Sequence, residues 1–157
     1  MVIVSIADLK TVVGEDVLVT YALGSCVGIC LRDDVNKVSG LAHIMLPWSK
    51  TASEDEQNMR RFADTGITEL MQQMVDQGAK SRNITAKLAG GAQMFGVASA
   101  AFNIGERNIQ AVQKVLETYK IPVAASDLGG NYARTIYFHT VDGKLEVRSA
   151  TKPTIFI

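Results

Sequence analysis

The chain has 157 residues, of which 47% are hydrophobic and 20% charged, a composition that supports a folded core and excludes a disordered chain. Sixteen basic residues balance sixteen acidic ones without a basic cluster, which argues against binding nucleic acid through phosphate neutralisation. No apolar run approaches the ~20 residues of a membrane helix, and no signal peptide is visible. We therefore expect a single cytoplasmic domain over residues 1–157, without membrane insertion.

Strands joined by short turns dominate the first third of the chain. The turn Leu23-Gly24-Ser25 joins the first two strands, residues 33–37 connect the second to the third, and Pro47 ends the third. Residues 48–59 are polar and predict a mobile loop, in which Trp48 either covers the core, the commoner outcome, or contacts a partner. The strands are predicted at residues 17–22, 26–32 and 38–46.

Two segments of the second half have the apolar spacing of a helix. The first covers residues 62–77 and ends at Gly78. The second covers residues 106–119 and precedes Pro122. Asp142-Gly143 predicts the turn of a hairpin. Strands are predicted at residues 83–88, 123–126, 134–140 and 144–149. Because strands outnumber helices, the sequence predicts an α+β fold with its helices packed on a mixed sheet or a pair of sheets.

Cys26 and His43 are the residues whose surroundings best fit catalysis. Cys26 follows a turn and opens an apolar strand, and the hairpin geometry places it opposite or nearly opposite His43. An imidazole beside a thiol can take its proton, hold a thiolate–imidazole pair and later protonate a leaving group. Thr20 is the nearest hydroxyl to orient His43, and backbone N–H groups around Gly24 and Ser25 can form an oxyanion hole. The pattern predicts a cysteine-dependent acyl-transfer enzyme.

Other interpretations of these residues stay open. Free cysteines are usually buried and inert, which is the plain alternative for Cys26. A zinc site with Cys30 and His43 needs another histidine within about 3–5 residues, yet the only other one is His139. On a strand, Cys26 and Cys30 would lie about 13 Å apart. A disulfide needs roughly 4.4–6.8 Å. We therefore expect two reduced cysteines, no metal and no cofactor.

Two glycine-rich stretches follow predicted strands. Gly90-Gly91 lies where a phosphate cradle would, but the segment matches neither phosphate-binding pattern. A tight turn with close backbone approach is therefore expected there and at Gly129-Gly130. Beside the second stretch, Asp127 and Arg134 either form a structural ion pair or line the cleft.

Five segments stand out by their order and spacing. They are LGSCV at 23–27, HIMLP at 43–47, KLAGGAQMF at 87–95, NIGERN at 103–108, and DLGGN at 127–131 followed by Arg134. Together they extend over nearly the whole chain, and they resemble the chemoreceptor glutamine deamidase (CheD) family of bacterial and archaeal chemotaxis.

The resemblance implies a fold and a reaction. The fold is a layered α/β sandwich similar to that of cytotoxic necrotizing factor-type deamidases, with mixed sheets built largely from hairpins and two main helices packed on one side. The implied catalytic triad consists of Cys26, His43 and Thr20. The implied reaction hydrolyses selected glutamine side-chain amides of methyl-accepting chemotaxis receptors to glutamate and ammonia.

The resemblance also implies binding partners. The phosphatase CheC, which is tied to phosphorylated CheY, is the expected partner, and Phe102 and Trp48 are candidate contacts. Two alternatives to the deamidase stay open. The protein acts mainly as a regulatory partner of CheC, or the Cys26–His43 pair hydrolyses methyl esters of receptor glutamates.

Overall fold

The computed structural model describes residues 1–94 and 103–157, in which ten strands and two helices are found. The helices are α1 (Ala63–Asp76) and α2 (Ile104–Thr118). The strands are β1 (Val2–Ile3), β2 (Asp8–Val13), β3 (Val17–Leu23), β4 (Val27–Asp33), β5 (Val38–Ile44), β6 (Ile84–Gly90), β7 (Val123–Leu128), β8 (Arg134–His139), β9 (Lys144–Arg148) and β10 (Ile155–Phe156).

The strands form two mixed sheets of five strands each. The first sheet has the order β1-β3-β8-β9-β10, and the second has the order β2-β5-β4-β6-β7. Only the pairs β1–β3 and β6–β7 are parallel among these strands, and the others are antiparallel neighbours. The predicted α+β fold with mixed sheets built largely from hairpins is confirmed.

Both helices pack on the second sheet, on the face turned away from the first. Strand β4 shows the division, because Ile29 and Leu31 pack with the helices whereas Cys30 packs with the first sheet. Such a strand is buried on both faces and has a nearly continuous apolar sequence. The molecule therefore has three layers, in the order helices, second sheet and first sheet, and the prediction of two helices on one side is confirmed. The likeness to cytotoxic necrotizing factor-type deamidases stays a prediction.

The structure differs from the sequence prediction mainly at strands that lie on sheet edges. Strands β1, β2 and β10 were not predicted. The strands β1 and β10 have two residues each, and β2 carries Asp8 and Lys10 on a partly exposed edge. Their strand character comes from the neighbouring strand rather than from their own apolar pattern. At residue 26 the predicted strand begins one position early, because Cys26 still belongs to the turn.

The helix starts are set by the chain just before them. Phe62 precedes α1 with an extended backbone, and Asn103 caps α2 by accepting a hydrogen bond from the Glu106 N–H. Trp48 is half-buried against the core, as predicted for a residue that covers it. Of the helices in the described residues, none is long and apolar enough to cross a membrane.

Candidate active site

The turn between Leu23 and Val27 carries the chain from one sheet to the other. Strand β3 ends at Leu23 in the first sheet, and β4 begins at Val27 in the second. Cys26 is the last residue of this turn and is half-buried against the core of the first sheet. The thiol therefore lies at the end of the gap between the two sheets.

His43 lies in the same gap, on the neighbouring strand. The ladder between β4 and β5 pairs Gly28 with His43 and Val27 with Ile44. One further step of this ladder places Cys26 opposite Met45, within the range that the hairpin geometry predicted. Cys26 is thus the diagonal neighbour of His43, and both side chains point toward the first sheet. Diagonal neighbours in an antiparallel pair are roughly 7–8 Å apart between their Cα atoms, within reach of a long or ring side chain.

Thr20 joins the two sheets through His43 and fixes the tautomer of the imidazole. The Thr20 hydroxyl lies 2.7 Å from the carbonyl oxygen of Val4 and 2.7 Å from Nδ1 of His43. A hydroxyl has one proton, and a carbonyl oxygen can only accept. Thr20 therefore donates to Val4 and accepts from the Nδ1–H of His43. It follows that Nε2, the other ring nitrogen, carries the free lone pair of the neutral imidazole.

In the described residues, Thr20 and His43 are joined by a hydrogen bond, whereas no hydrogen bond joins Cys26 to Nε2 of His43. His43 is 2% exposed, and among residues 1–94 and 103–157 its Nε2 atom has no hydrogen-bond partner. A buried polar nitrogen without a partner costs stability, and such atoms are rare in folded proteins. The candidate for the missing partner is the thiol of Cys26, the diagonal neighbour of His43.

Burial shifts the pKa values of Cys26 and His43 in the directions that favour their neutral forms. Burial raises the pKa of the Cys26 thiol above its ordinary value, an effect that the hydrogen bond from its own backbone N–H only partly opposes. Burial lowers the pKa of His43 to about 4. Both shifts favour a neutral thiol and a neutral imidazole over a thiolate–imidazole pair in the substrate-free protein.

Alkylation of Cys26 by iodoacetamide is expected to accelerate continuously as the pH rises through 9 in the substrate-free protein. The thiolate is the reacting species, and a thiol with a raised pKa forms it only in alkaline solution. Rates read from the mass of the Cys26 peptide between pH 5 and 10 test this. Cys30 does not interfere, since it is 1% exposed and burial also raises its pKa. A rate that is already constant between pH 6 and 8 would instead show a preformed thiolate.

The turn formed by Gly24, Ser25 and Cys26 is named the catalytic turn here, after its candidate nucleophile. All three of its carbonyl groups accept hydrogen bonds. In a planar trans peptide, the N–H points away from the carbonyl that precedes it, so these bonds turn the N–H groups of Ser25 and Cys26 to the opposite side. This arrangement leaves those N–H groups as candidate donors to an oxyanion. The donors to the carbonyls are Ala92 N to Gly24 O at 2.8 Å, Asn108 Nδ2 to Ser25 O at 2.9 Å and Gly91 N to Cys26 O at 2.8 Å.

Gly90 and Gly91 let a second chain segment approach the catalytic turn. Both have positive φ angles, of 112° and 69°. A Cβ atom at Gly90 would collide with the carbonyl oxygen of Cys26, so no other residue fits there without moving the turn. The interpretation of this stretch as a close backbone approach is confirmed. The segment continues to Met94, whose side chain packs over Gly24.

Arg134 supports the segment next to the catalytic turn. It is 1% exposed and pairs with Asp127 at 2.9 Å, so the structural ion pair predicted as one alternative is confirmed. Its neighbours Gly129 and Gly130 are hydrogen-bonded to Gly90 and Gln93, respectively. Phe102, the candidate partner contact, lies outside the described residues.

Sequence reasoning did not assign roles to two groups that the geometry brings to the site. One is the backbone carbonyl of Val4, which takes the Thr20 proton, and the other is the side chain of Asn108. Asn108 belongs to the NIGERN segment at residues 103–108, one of the five on which the family resemblance rests. This membership was the signal in the sequence that could have identified it as a functional residue. A backbone carbonyl leaves no signal in the amino-acid sequence.

Comparison with known proteins assigns the chain to a family. The family model described as "CheD chemotactic sensory transduction" matches residues 45–149. The chain belongs to the CheD family. The match begins after His43, so it is independent of the three residues whose geometry is given above.

CheD relatives align with nearly the whole chain. The "Probable chemoreceptor glutamine deamidase CheD" of Caldanaerobacter subterraneus subsp. tengcongensis is 49% identical over 148 residues, which cover 93% of this chain and 91% of that protein. The protein of the same name from Lachnoclostridium phytofermentans is 43% identical over 98% of this chain and 96% of its own length. The "Chemoreceptor glutamine deamidase CheD" of Halalkalibacterium halodurans is 45% identical over 93% of this chain and 91% of its own.

Proposed function

We propose that this CheD family member is a cysteine-dependent hydrolase that converts selected glutamine side chains of chemotaxis receptors to glutamate. The orientation of the His43 imidazole ring is the observation that supports this proposal most directly. Thr20 accepts from Nδ1–H, which leaves Nε2, an atom without a hydrogen-bond partner in residues 1–94 and 103–157, as a base on the same side of the sheet as Cys26. The relatives named as chemoreceptor glutamine deamidases support the choice of a receptor glutamine as the substrate.

The first half of the reaction forms a thioester. As the Cys26 sulfur attacks the carboxamide carbon, Nε2 of His43 takes the thiol proton. The carbonyl oxygen becomes an oxyanion, which the N–H groups of Ser25 and Cys26 stabilise. His43 then returns the proton to the amide nitrogen, the carbon–nitrogen bond breaks, and ammonia leaves.

The second half of the reaction releases glutamate. A water molecule attacks the thioester carbon while Nε2 of His43 accepts one of its protons. The carbon–sulfur bond breaks, and the Cys26 sulfur takes the proton back from the imidazole. Throughout the cycle Thr20 holds the Nδ1–H, which keeps Nε2 directed at the reacting atoms and stabilises the imidazolium when it forms.

The partners and the cellular location are part of the same proposal. The receptors are substrates, and CheC, linked to phosphorylated CheY, is the regulatory partner that the family resemblance implies. Two free cysteines, Cys26 and Cys30, fit a reducing compartment, which supports the cytoplasm as the location.

The products of the reaction test the proposal against the methylesterase alternative. Purified protein is incubated with a methyl-accepting receptor whose target sites are either glutamine or methylated glutamate. Deamidation predicts ammonia release and a mass gain of about 1 Da per converted glutamine, since an NH₂ group is replaced by OH. Release of methanol from methylated receptor, with no change at the glutamine sites, would overturn the deamidase. The same Cys–His chemistry would then act on an ester.

A further inference from the structure

Asn108 links the chain segments that carry the candidate nucleophile and base. Its side chain is fully buried in α2, and its Nδ2 atom donates to the carbonyl oxygens of Ser25 and Met45, each at 2.9 Å. Both partners are carbonyls, which only accept, so the amide nitrogen must face them. Ser25 directly precedes Cys26, and Met45 is two residues beyond His43.

Packing alone does not account for an asparagine at this position. Its Oδ1 atom is buried and has no hydrogen-bond partner in the described part of the chain. Burying an unpaired amide oxygen costs stability, whereas an apolar side chain of the same size would fill the space without that cost. The two hydrogen bonds from Nδ2 are therefore the property that distinguishes asparagine here.

We infer that Asn108 is a positioning residue for the deamidation reaction, a role that rests on the function proposed above. The Ser25 carbonyl and the Cys26 N–H belong to one planar peptide unit and point in opposite directions. By holding this carbonyl, Asn108 fixes the direction of the N–H that faces the reacting oxygen. By holding Met45 with the same nitrogen, it ties that peptide to the end of the strand that carries His43.

The alignment of these two segments matters most in the transition state. A preorganised donor stabilises the charge that develops on the oxygen, and removing one such donor typically lowers kcat by about 10²–10³. Loss of Asn108 leaves the Cys26 N–H in place but free to turn. The expected loss is accordingly smaller, about 10- to 100-fold in kcat, with KM within about threefold of the wild-type value.

Asn108→Leu and Asn108→Ala test this inference with two different structural consequences. Leucine keeps the branched shape and the number of side-chain heavy atoms of asparagine without its donors, whereas alanine leaves space but adds no bulk. Both favour a helix. The control is Asn103→Ala, which removes the cap of the same helix and costs stability without touching the catalytic turn. The measurements are KM and kcat for receptor deamidation, with kcat divided by the folded fraction from circular dichroism.

We expect both Asn108 variants to lose kcat while Asn103→Ala keeps it. A kcat within twofold of wild type in either folded Asn108 variant overturns the inference, as does failure of both to fold, which would make Asn108 a determinant of stability alone. The Cys26→Ala variant separates this failure from failure of the proposed function. If Cys26→Ala is inactive and the Asn108 variants are not, only the positioning role is lost.

Discussion

Cys26→Ala is expected to deamidate receptor glutamines about 10⁴-fold more slowly than the wild-type protein, or not measurably. The thiol is the only protein group in the proposed reaction that forms a bond to the substrate carbon. Loss of a nucleophile removes the covalent route entirely, and losses of several orders of magnitude follow in enzymes of this kind. Receptor glutamate formation, measured by the mass gain per site, gives the rate.

Cys30 provides the matched control for this prediction. It lies four residues further along the chain, in β4, on the same side of the sheet as Cys26, and is 1% exposed in the core between the sheets. Cys30→Ala removes one buried sulfur and is expected to lower the free energy of unfolding by about 1 kcal/mol, with kcat unchanged. Activity that survives in Cys26→Ala and disappears in Cys30→Ala would refute the assignment of the nucleophile.

His43→Gln is expected to lower kcat by about 10³-fold at pH 7. A general base contributes roughly 10²–10⁴ to such reactions, and here the thiol depends on it because its pKa is raised by burial. The variant also has a distinct pH signature. Without the imidazole, the residual rate should increase tenfold per pH unit as the thiolate forms, whereas the wild-type rate should be nearly constant above the pKa of His43, about 4. Rates measured between pH 5 and 9 test both statements.

Thr20→Val separates orientation of the imidazole from its presence. Valine has the shape of threonine but cannot accept from Nδ1–H, so the ring loses the contact at 2.7 Å that fixes its tautomer. A fall in kcat between that of the wild type and that of His43→Gln is expected, with little change in KM. A Thr20→Val variant with wild-type kcat would show that the hydroxyl has no part in catalysis.

The sequence was sufficient for the parts of this molecule that depend on local pattern. The helices followed from apolar spacing, and the hairpin of β4 and β5 followed from the turn at residues 33–37. Cys26 and His43 became candidates because this hairpin places them on neighbouring strands.

Other parts of the structure depend on contacts between distant residues. Asn108 reaches carbonyls 83 and 63 positions away in the chain, and no pattern in its own segment indicates these partners. The pKa shifts of Cys26 and His43 were also beyond the sequence, because they follow from the depth of burial of both side chains. Strand β1 has only two residues and forms by pairing with β3. In each case the missing information was the tertiary structure around the residue.

Covalent capture of the nucleophile is the most direct test that the Cys26 thiol attacks the glutamine side chain. A receptor peptide is made with a diazomethyl ketone in place of the target carboxamide. The thiol proton moves to the diazo carbon, dinitrogen leaves, and the sulfur forms a stable bond to that methylene carbon, next to the ketone that replaces the carboxamide carbonyl. Digestion and mass spectrometry are predicted to show one adduct per protein molecule, on Cys26, with Cys30 unmodified. An adduct on another residue, or an active protein that leaves Cys26 unlabelled at saturating peptide, would contradict the thiol mechanism.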